Sequence, residues 1–300
     1  MTMSRIGKLV VVGVGLIGGS FALALKRSGA AATVVGVGRS RANLDAAQRR
    51  GIVDRSFALD QTWTPELVDA DLVLLATPVG QMPSLFAAIA PNLGPRTVLT
   101  DAGSTKQDVI AVARECLGDA LPRFVPGHPI AGTEHSGAVA AFDALFRDKH
   151  VVLTPLAETD PEALARVRDC WTRCGALVRV LDAARHDAIF SAVSHLPHVL
   201  AFALVAEVAA RPDADECFAF AGSGFRDFTR LASGHAEMWR DVCLANRDAL
   251  RRDLDSYRHE LERIETLLES ADGDGLLRLF ERARAIRNGW LERQSAGEDV

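Results

Sequence analysis

Residues 8–19 read KLVVVGVGLIGG, and how this stretch is parsed decides the fold. Lys8 to Val12 is a short β-branched run of the kind that forms a fully buried parallel strand. Gly13, Gly15 and Gly18 then spell GxGxxG, and a helical run follows to about Gly29. The order strand, tight turn, helix gives each glycine a task. Gly13 permits the turn, Gly15 lets the backbone approach a pyrophosphate, and Gly18 lets the helix pack closely on the strand. Leu16 and Ile17 lie between them, where the helix N-terminus meets the anion. Arg5, Lys8 and the apolar stretch 9–25 also resemble a signal peptide, but the glycines argue against that reading.

Working outward, strands are expected at 33–37, 71–76, 97–101, 123–125, 151–154 and 177–181, with helices between most of them. Pro78, Pro91, Pro95, Pro122 and Pro126 punctuate the joins. This is the pattern of a doubly wound α/β sheet of Rossmann type, whose ligand lies beyond the carboxyl ends of its strands. From Ala183 onward the pattern is helical only, including one helix over 237–270 with a charged outer face. The expected division is therefore a dinucleotide-binding domain, 1–182, followed by an all-helical domain, 183–300, for substrate and dimerisation. No internal repeat, low-complexity tract or transmembrane span is read.

Composition narrows the partners. With 48% hydrophobic residues, 24% charged and a net charge of −5, the chain lacks the basic excess that binding a phosphate backbone requires. Neither nucleic acid nor membrane is an expected partner. Five scattered cysteines make neither a disulfide framework nor a zinc motif, so no metal is expected and a cytoplasmic location is. The only lysines are Lys8, Lys26, Lys106 and Lys149.

Several segments carry candidate chemistry. ATPVG (76–80) places Thr77 and Pro78 at the cofactor. DAGSTK (101–106) is either a helix cap, with Ser104 or Thr105 satisfying the first free amides, or part of the site. In PGHPIAGTEHSG (126–137), His128 sits in a loop between Gly127 and Pro129 and is read as functional. SAVSHLPHVLAF (191–202) sets His195 and His198 on one helix face, either as hydrogen-bonded core residues or as site residues. VVGVGRSR (34–41) has Gly38 where an NAD-preferring fold carries an acid. Arg39, Ser40 and Arg41 follow and are read as a cradle for the 2′-phosphate of NADP. The competing reading has Ser40 capping the next helix and both arginines in solvent, which leaves NAD usable.

Taken in order from about residue 8 to 290, VVGVGLIGGS, DAGSTK, GHPIAGTEHSG, SHLPH, GSGFRDFTR and MWRD resemble the prephenate and arogenate dehydrogenases of tyrosine biosynthesis. The resemblance implies oxidation of the ring alcohol by hydride transfer to a nicotinamide. The ring carboxylate leaves as carbon dioxide, giving 4-hydroxyphenylpyruvate or tyrosine. It further implies that His128 accepts the hydroxyl proton, that Ser104 hydrogen-bonds the same hydroxyl or His128, and that Arg230 holds the ring carboxylate. His195 would lie near the reacting ring, with His198 in support, and Glu134, Asp227 and Trp239 would contribute to the pocket and its gating. His186, among charged residues at a helix start, is open between site and surface. Family members pair through the C-terminal region, so a homodimer is expected, without a fused regulatory domain. Two alternatives stand beside this. β-Hydroxyacid dehydrogenases and imine reductases share the layout, but 184–208 contains no lysine, which disfavours hydroxyacid chemistry. A nucleotide-sensing protein without turnover would not need Ser104, His128 and Arg230 together. The preference between prephenate and arogenate stays open.

Overall fold

A computed structural model describes residues 5–133 and 135–295. The valine-rich opening forms β1 (Ile6–Val12), and the first crossover helix α1 (Leu16–Arg27) leads to β2 (Ala31–Gly38). There follow α2 (Arg41–Arg49), β3 (Arg55–Ala58), β4 (Leu72–Leu75), α3 (Met82–Ile89), β5 (Val98–Asp101), α4 (Gln107–Cys116) and β6 (Phe124–Val125). These six strands are parallel in the order β3-β2-β1-β4-β5-β6. β1 is central and its alternate side chains feed two cores. Leu9 and Val11 pack on one face with Phe21 and Trp171, whereas Val10 and Val12 pack on the other with Phe86 and Phe124. Burial on both faces is why the strand reads as an unbroken apolar run.

Two strands were not expected. β3 has the sequence RSFA at a sheet edge, with no apolar run to mark it. The second, β7 (Gly127–Pro129), corrects the loop assignment of His128. It pairs antiparallel with β8 (His150–Leu153), placing His128 opposite Val152, and after α5 (Pro161–Arg173), β9 (Leu177–Val180) pairs parallel with β8. Proline tolerates this place because the sheet has only three strands and β7 is its edge.

Beyond β9 the chain is helical: α6 (Ala183–Phe190), a π-helical turn (Ser191–His195), α7 (Leu196–Ala209), α8 (Ala214–Ala219), α9 (Ser223–Thr229), α10 (Ala236–Ala245), α11 (Arg247–Glu269) and α12 (Gly273–Ser295). The expected helix over 237–270 is broken at Asn246, which has φ −108° and ψ 30°. The stretch Ala183–Ala209 is 27 residues with mean hydropathy 1.8 in its most apolar window, long and apolar enough to cross a bilayer. Its polar residues His186, Asp187 and His195 are instead built into the site described below. The chain forms two compact units, residues 1–249 and 250–300. The second consists of the remainder of α11 and of α12, joined by a turn in which Ala271 has φ 49°.

Candidate active site

The turn after β1 is built for a dinucleotide. Gly13 has φ 98°, and a Cβ there would lie 2.4 Å from the Ala76 carbonyl oxygen, so only glycine fits. At Gly15 a Cβ would meet nothing within 4 Å. Glycine there keeps the backbone approachable rather than relieving a clash. Gly15 caps α1 without any side-chain hydrogen bond, and the first turn holds no acidic residue. The first amides of α1 and its positive dipole end are thus left for an anionic ligand. Thr77, just after β4, keeps a buried hydroxyl with no partner inside the protein. A pyrophosphate at α1 with ribose hydroxyls nearby fits these features.

At the end of β2, the Ser40 hydroxyl accepts the Asn43 amide at 3.3 Å and caps α2. Arg41 is exposed, and the Arg39 guanidinium lies 3.8 Å from the Glu237 carboxylate of α10.

His128 stands at the end of a polar chain that fixes its proton. Asp187 on α6 accepts the backbone amides of Lys106 and Gln107, each at 2.9 Å, and thereby caps α4 from 80 or more residues away. Neither Ser104 nor Thr105 caps that helix. The same carboxylate lies 2.8 Å from Nδ1 of His186. A carboxylate only accepts, so His186 carries its proton on Nδ1 and its Nε2 is a lone pair. Nε2 of His186 is 2.9 Å from Nδ1 of His128. His128 therefore donates from Nδ1, and its own Nε2 is the lone pair of a base. Phe190 packs against both rings, with centroids 4.8 Å and 4.5 Å away.

The electrostatics follow. Burial, followed by the charges of His186, Lys106 and His195, pushes His128 well below the ordinary histidine range. Burial also lowers His186, despite its bond to Asp187. Burial alone would raise Asp187, but the hydrogen bonds from His186 and the two amides outweigh it and leave the acid stronger than usual. Beneath β7, the fully buried Lys106 ammonium contacts Asp101 at 2.5 Å and the Gly127 carbonyl at 2.7 Å, while the Gly127 amide donates to Asp101 at 3.1 Å. This buried pair fastens the histidine-bearing strand to β5.

A second cluster lies on the helical side. His198 stacks on Trp239 with ring centroids 3.6 Å apart, and His195 meets the same indole edge-on at 6.3 Å. His198 is lowered by burial first, then by the charge of Arg230, whose side chain is exposed. The Ser104 hydroxyl is partly exposed on the loop between β5 and α4. Asp227 and Arg226 are exposed on α9. Glu134 lies outside the described residues. Sequence reasoning left His186 undecided and missed Asp187, Lys106, Asp101 and Asn246. A lone lysine in DAGSTK and the His-Asp pair at 186–187 were the available signals. Among the described residues no cluster of three or more His, Cys, Asp or Glu side chains is placed to hold a metal.

The model of the prephenate dehydrogenase nucleotide-binding domain matches residues 21–180, and that of the prephenate dehydrogenase dimerization domain matches 182–282. The chain belongs to the prephenate dehydrogenase family. A cyclohexadienyl dehydrogenase of Zymomonas mobilis is 36% identical over 287 residues, covering 93% of this chain and 94% of its own. The Aquifex aeolicus prephenate dehydrogenase, solved with hydroxyphenyl propionate and NAD+, superposes with TM-score 0.88 at 33% identity, covering 96% of this chain and 99% of that one. An arogenate dehydrogenase of Synechocystis gives TM-score 0.78 at 31% identity, covering 94% and 99%. As a member of the prephenate dehydrogenase family, the protein is a dehydrogenase that uses a nicotinamide cofactor.

Proposed function

We propose that this dehydrogenase oxidises prephenate or arogenate, with the ring carboxylate lost as carbon dioxide, and that Nε2 of His128 takes the proton of the ring hydroxyl. The observation that carries this reading is the chain from Asp187 through His186 to His128, which leaves a base pointing out of a buried relay. The nicotinamide, when bound, supplies the hydride acceptor, and Gly13, Gly15, Leu16, Ile17, Gly18, Thr77 and Pro78 are the residues that would hold its dinucleotide. His128 begins the reaction neutral, because its imidazolium is disfavoured in this setting. As it takes the proton, the new charge is stabilised through His186 by the Asp187 carboxylate, which stays ionised. Ser104 would share the hydroxyl. Arg230 would clamp the ring carboxylate with a charge-assisted contact, and His198 and Trp239 would wall the ring, with His195, Asp227 and Glu134 completing the pocket.

The finer assignments rest on particular residues. NADP is preferred over NAD because Gly38 removes the repelling acid and Arg39 and Arg41 flank the ribose end of β2. Ser40 contributes even while it caps α2, since a hydroxyl is both donor and acceptor. Glu237, 3.8 Å from Arg39, is the competitor that a phosphate displaces. The functional boundary lies at 182/183, where α6 brings Asp187 to the base. A homodimer covers Val193, Phe218, Phe220 and Phe228, apolar side chains left exposed on the helical segments. Five free cysteines, with the buried thiol of Cys170 raised to about 12, suit a reducing cytoplasm. The test is incubation with prephenate or arogenate and either oxidised cofactor while reduced nicotinamide and carbon dioxide are followed. Both products should appear together, and no reduced nicotinamide with either substrate overturns the reading.

A further inference from the structure

The polar chain that sets His128 has a second branch. Asn246, at the break between α10 and α11, is only 4% exposed. Its Nδ2 lies 2.8 Å from the main-chain carbonyl oxygen of Asp187 and 3.2 Å from Nδ1 of His195. A carbonyl oxygen accepts and never donates, so the atom facing it must be the amide nitrogen, which fixes the amide's orientation. The remaining amide hydrogen is then directed at His195, whose Nδ1 must be a lone pair and whose proton must sit on Nε2. A proton on Nδ1 would set N–H against N–H in a buried contact, leaving both donors unsatisfied. His195 is 1% exposed in the π-helical turn, so its ring has little freedom to escape the constraint.

We propose that Asn246 is a positioning residue that locks His195 in the Nε2–H tautomer, so that His195 acts in the site as a hydrogen-bond donor and never as a second base beside His128. The same carboxylate-bearing residue thus anchors two histidines with different assignments. The Asp187 side chain leaves a lone pair on Nε2 of His128, and its main-chain carbonyl, through Asn246, leaves an N–H donor on Nε2 of His195. The break between α10 and α11 coincides with this bridge. The catalytic part of the inference rests on the proposed reaction, whereas the tautomer does not.

The test is 15N NMR of histidine-labelled full-length protein, with His195 assigned by comparison with His195→Gln. In the wild type, Nδ1 of His195 should be pyridine-like and Nε2 pyrrole-like, with no substrate needed. A protonated Nδ1 overturns the inference. The near-isosteric Asn246→Asp offers an acceptor in place of the donor and should move the proton to Nδ1. It should also lower kcat by about tenfold or more, since a misassigned tautomer can cost as much as ~10⁴, with the KM for the cofactor unchanged. A flipped tautomer with full kcat overturns the positioning role. Should Asn246→Asp fail to fold, the wild-type spectrum still decides the tautomer, and Asn246→Ser, which keeps a small donor, should retain more kcat than Asn246→Ala. Equal kcat in those two variants overturns the role as well. Wild type that shows the stated tautomer yet turns over neither substrate refutes the proposed reaction instead.

Discussion

His128 is neutral in this site because burial and nearby positive charge both oppose its imidazolium, and Lys106 is one source of that charge. Removing the ammonium alone would strand the buried Asp101 carboxylate, at a cost of about 3–5 kcal/mol, so the informative variant is the double Asp101→Asn/Lys106→Met. The variant removes one charge of each sign, but of the pair only Lys106 acts on His128, lowering it; its loss raises the pKa of His128, so the protonated, inactive form persists to higher pH. The acid limb of kcat/KM should therefore move upward while the rate well above it is preserved. A limb that stays in place or moves down contradicts the assignment. At the other end of the cofactor site, Arg39→Ala would remove the proposed contact to a 2′-phosphate and should cut the proposed NADP preference about tenfold or more, since 1.4 kcal/mol is a factor of ten. An unchanged ratio of kcat/KM for the two cofactors removes Arg39 as discriminator.

Among the elements, α4 and α6 act as one device. Asp187 supplies the cap that α4 lacks in its own sequence and the acceptor that orients His186. In Asp187→Asn an amide N–H2 replaces one acceptor, so either a capping bond or the His186 proton assignment is lost. We expect kcat to fall by about 10² or more, with a stability loss of about 0.5–2 kcal/mol from the weakened cap. Full activity with only a lower Tm would reduce Asp187 to a capping residue. This device also marks what the sequence could and could not reveal. GxGxxG and the strand-helix alternation are local patterns, so β1, the crossover helices and the sheet class were legible. Asp187 capping a helix 80 residues upstream is a tertiary event, invisible to any local rule. So is β7, whose GHP reads as a turn until β8 arrives to pair with it. The break at Asn246 was hidden because the apolar spacing continues across it, while Ser104 looked like a cap because its hydroxyl stands just before α4, whose cap comes instead from Asp187.

For the molecule as a whole, the first unit assembles every described residue of the site, from Gly13 to Asn246. The second, 250–300, contributes amphipathic helices carrying exposed Leu268, Phe280, Ile286 and Trp290. Such surface on a 32.2 kDa chain, together with the apolar side chains around α7, predicts a dimer at micromolar concentration. Light scattering should return twice the chain mass, and a monomer at that concentration removes the dimer. The central claim is narrower and concerns the proton. The most direct measurement is steady-state turnover of the better of prephenate and arogenate by wild type and His128→Asn. The variant should lose about 10²–10⁴ in kcat, the range for a positioned general base, with little change in KM. His128→Asn with undiminished kcat would place the base elsewhere and contradict the account.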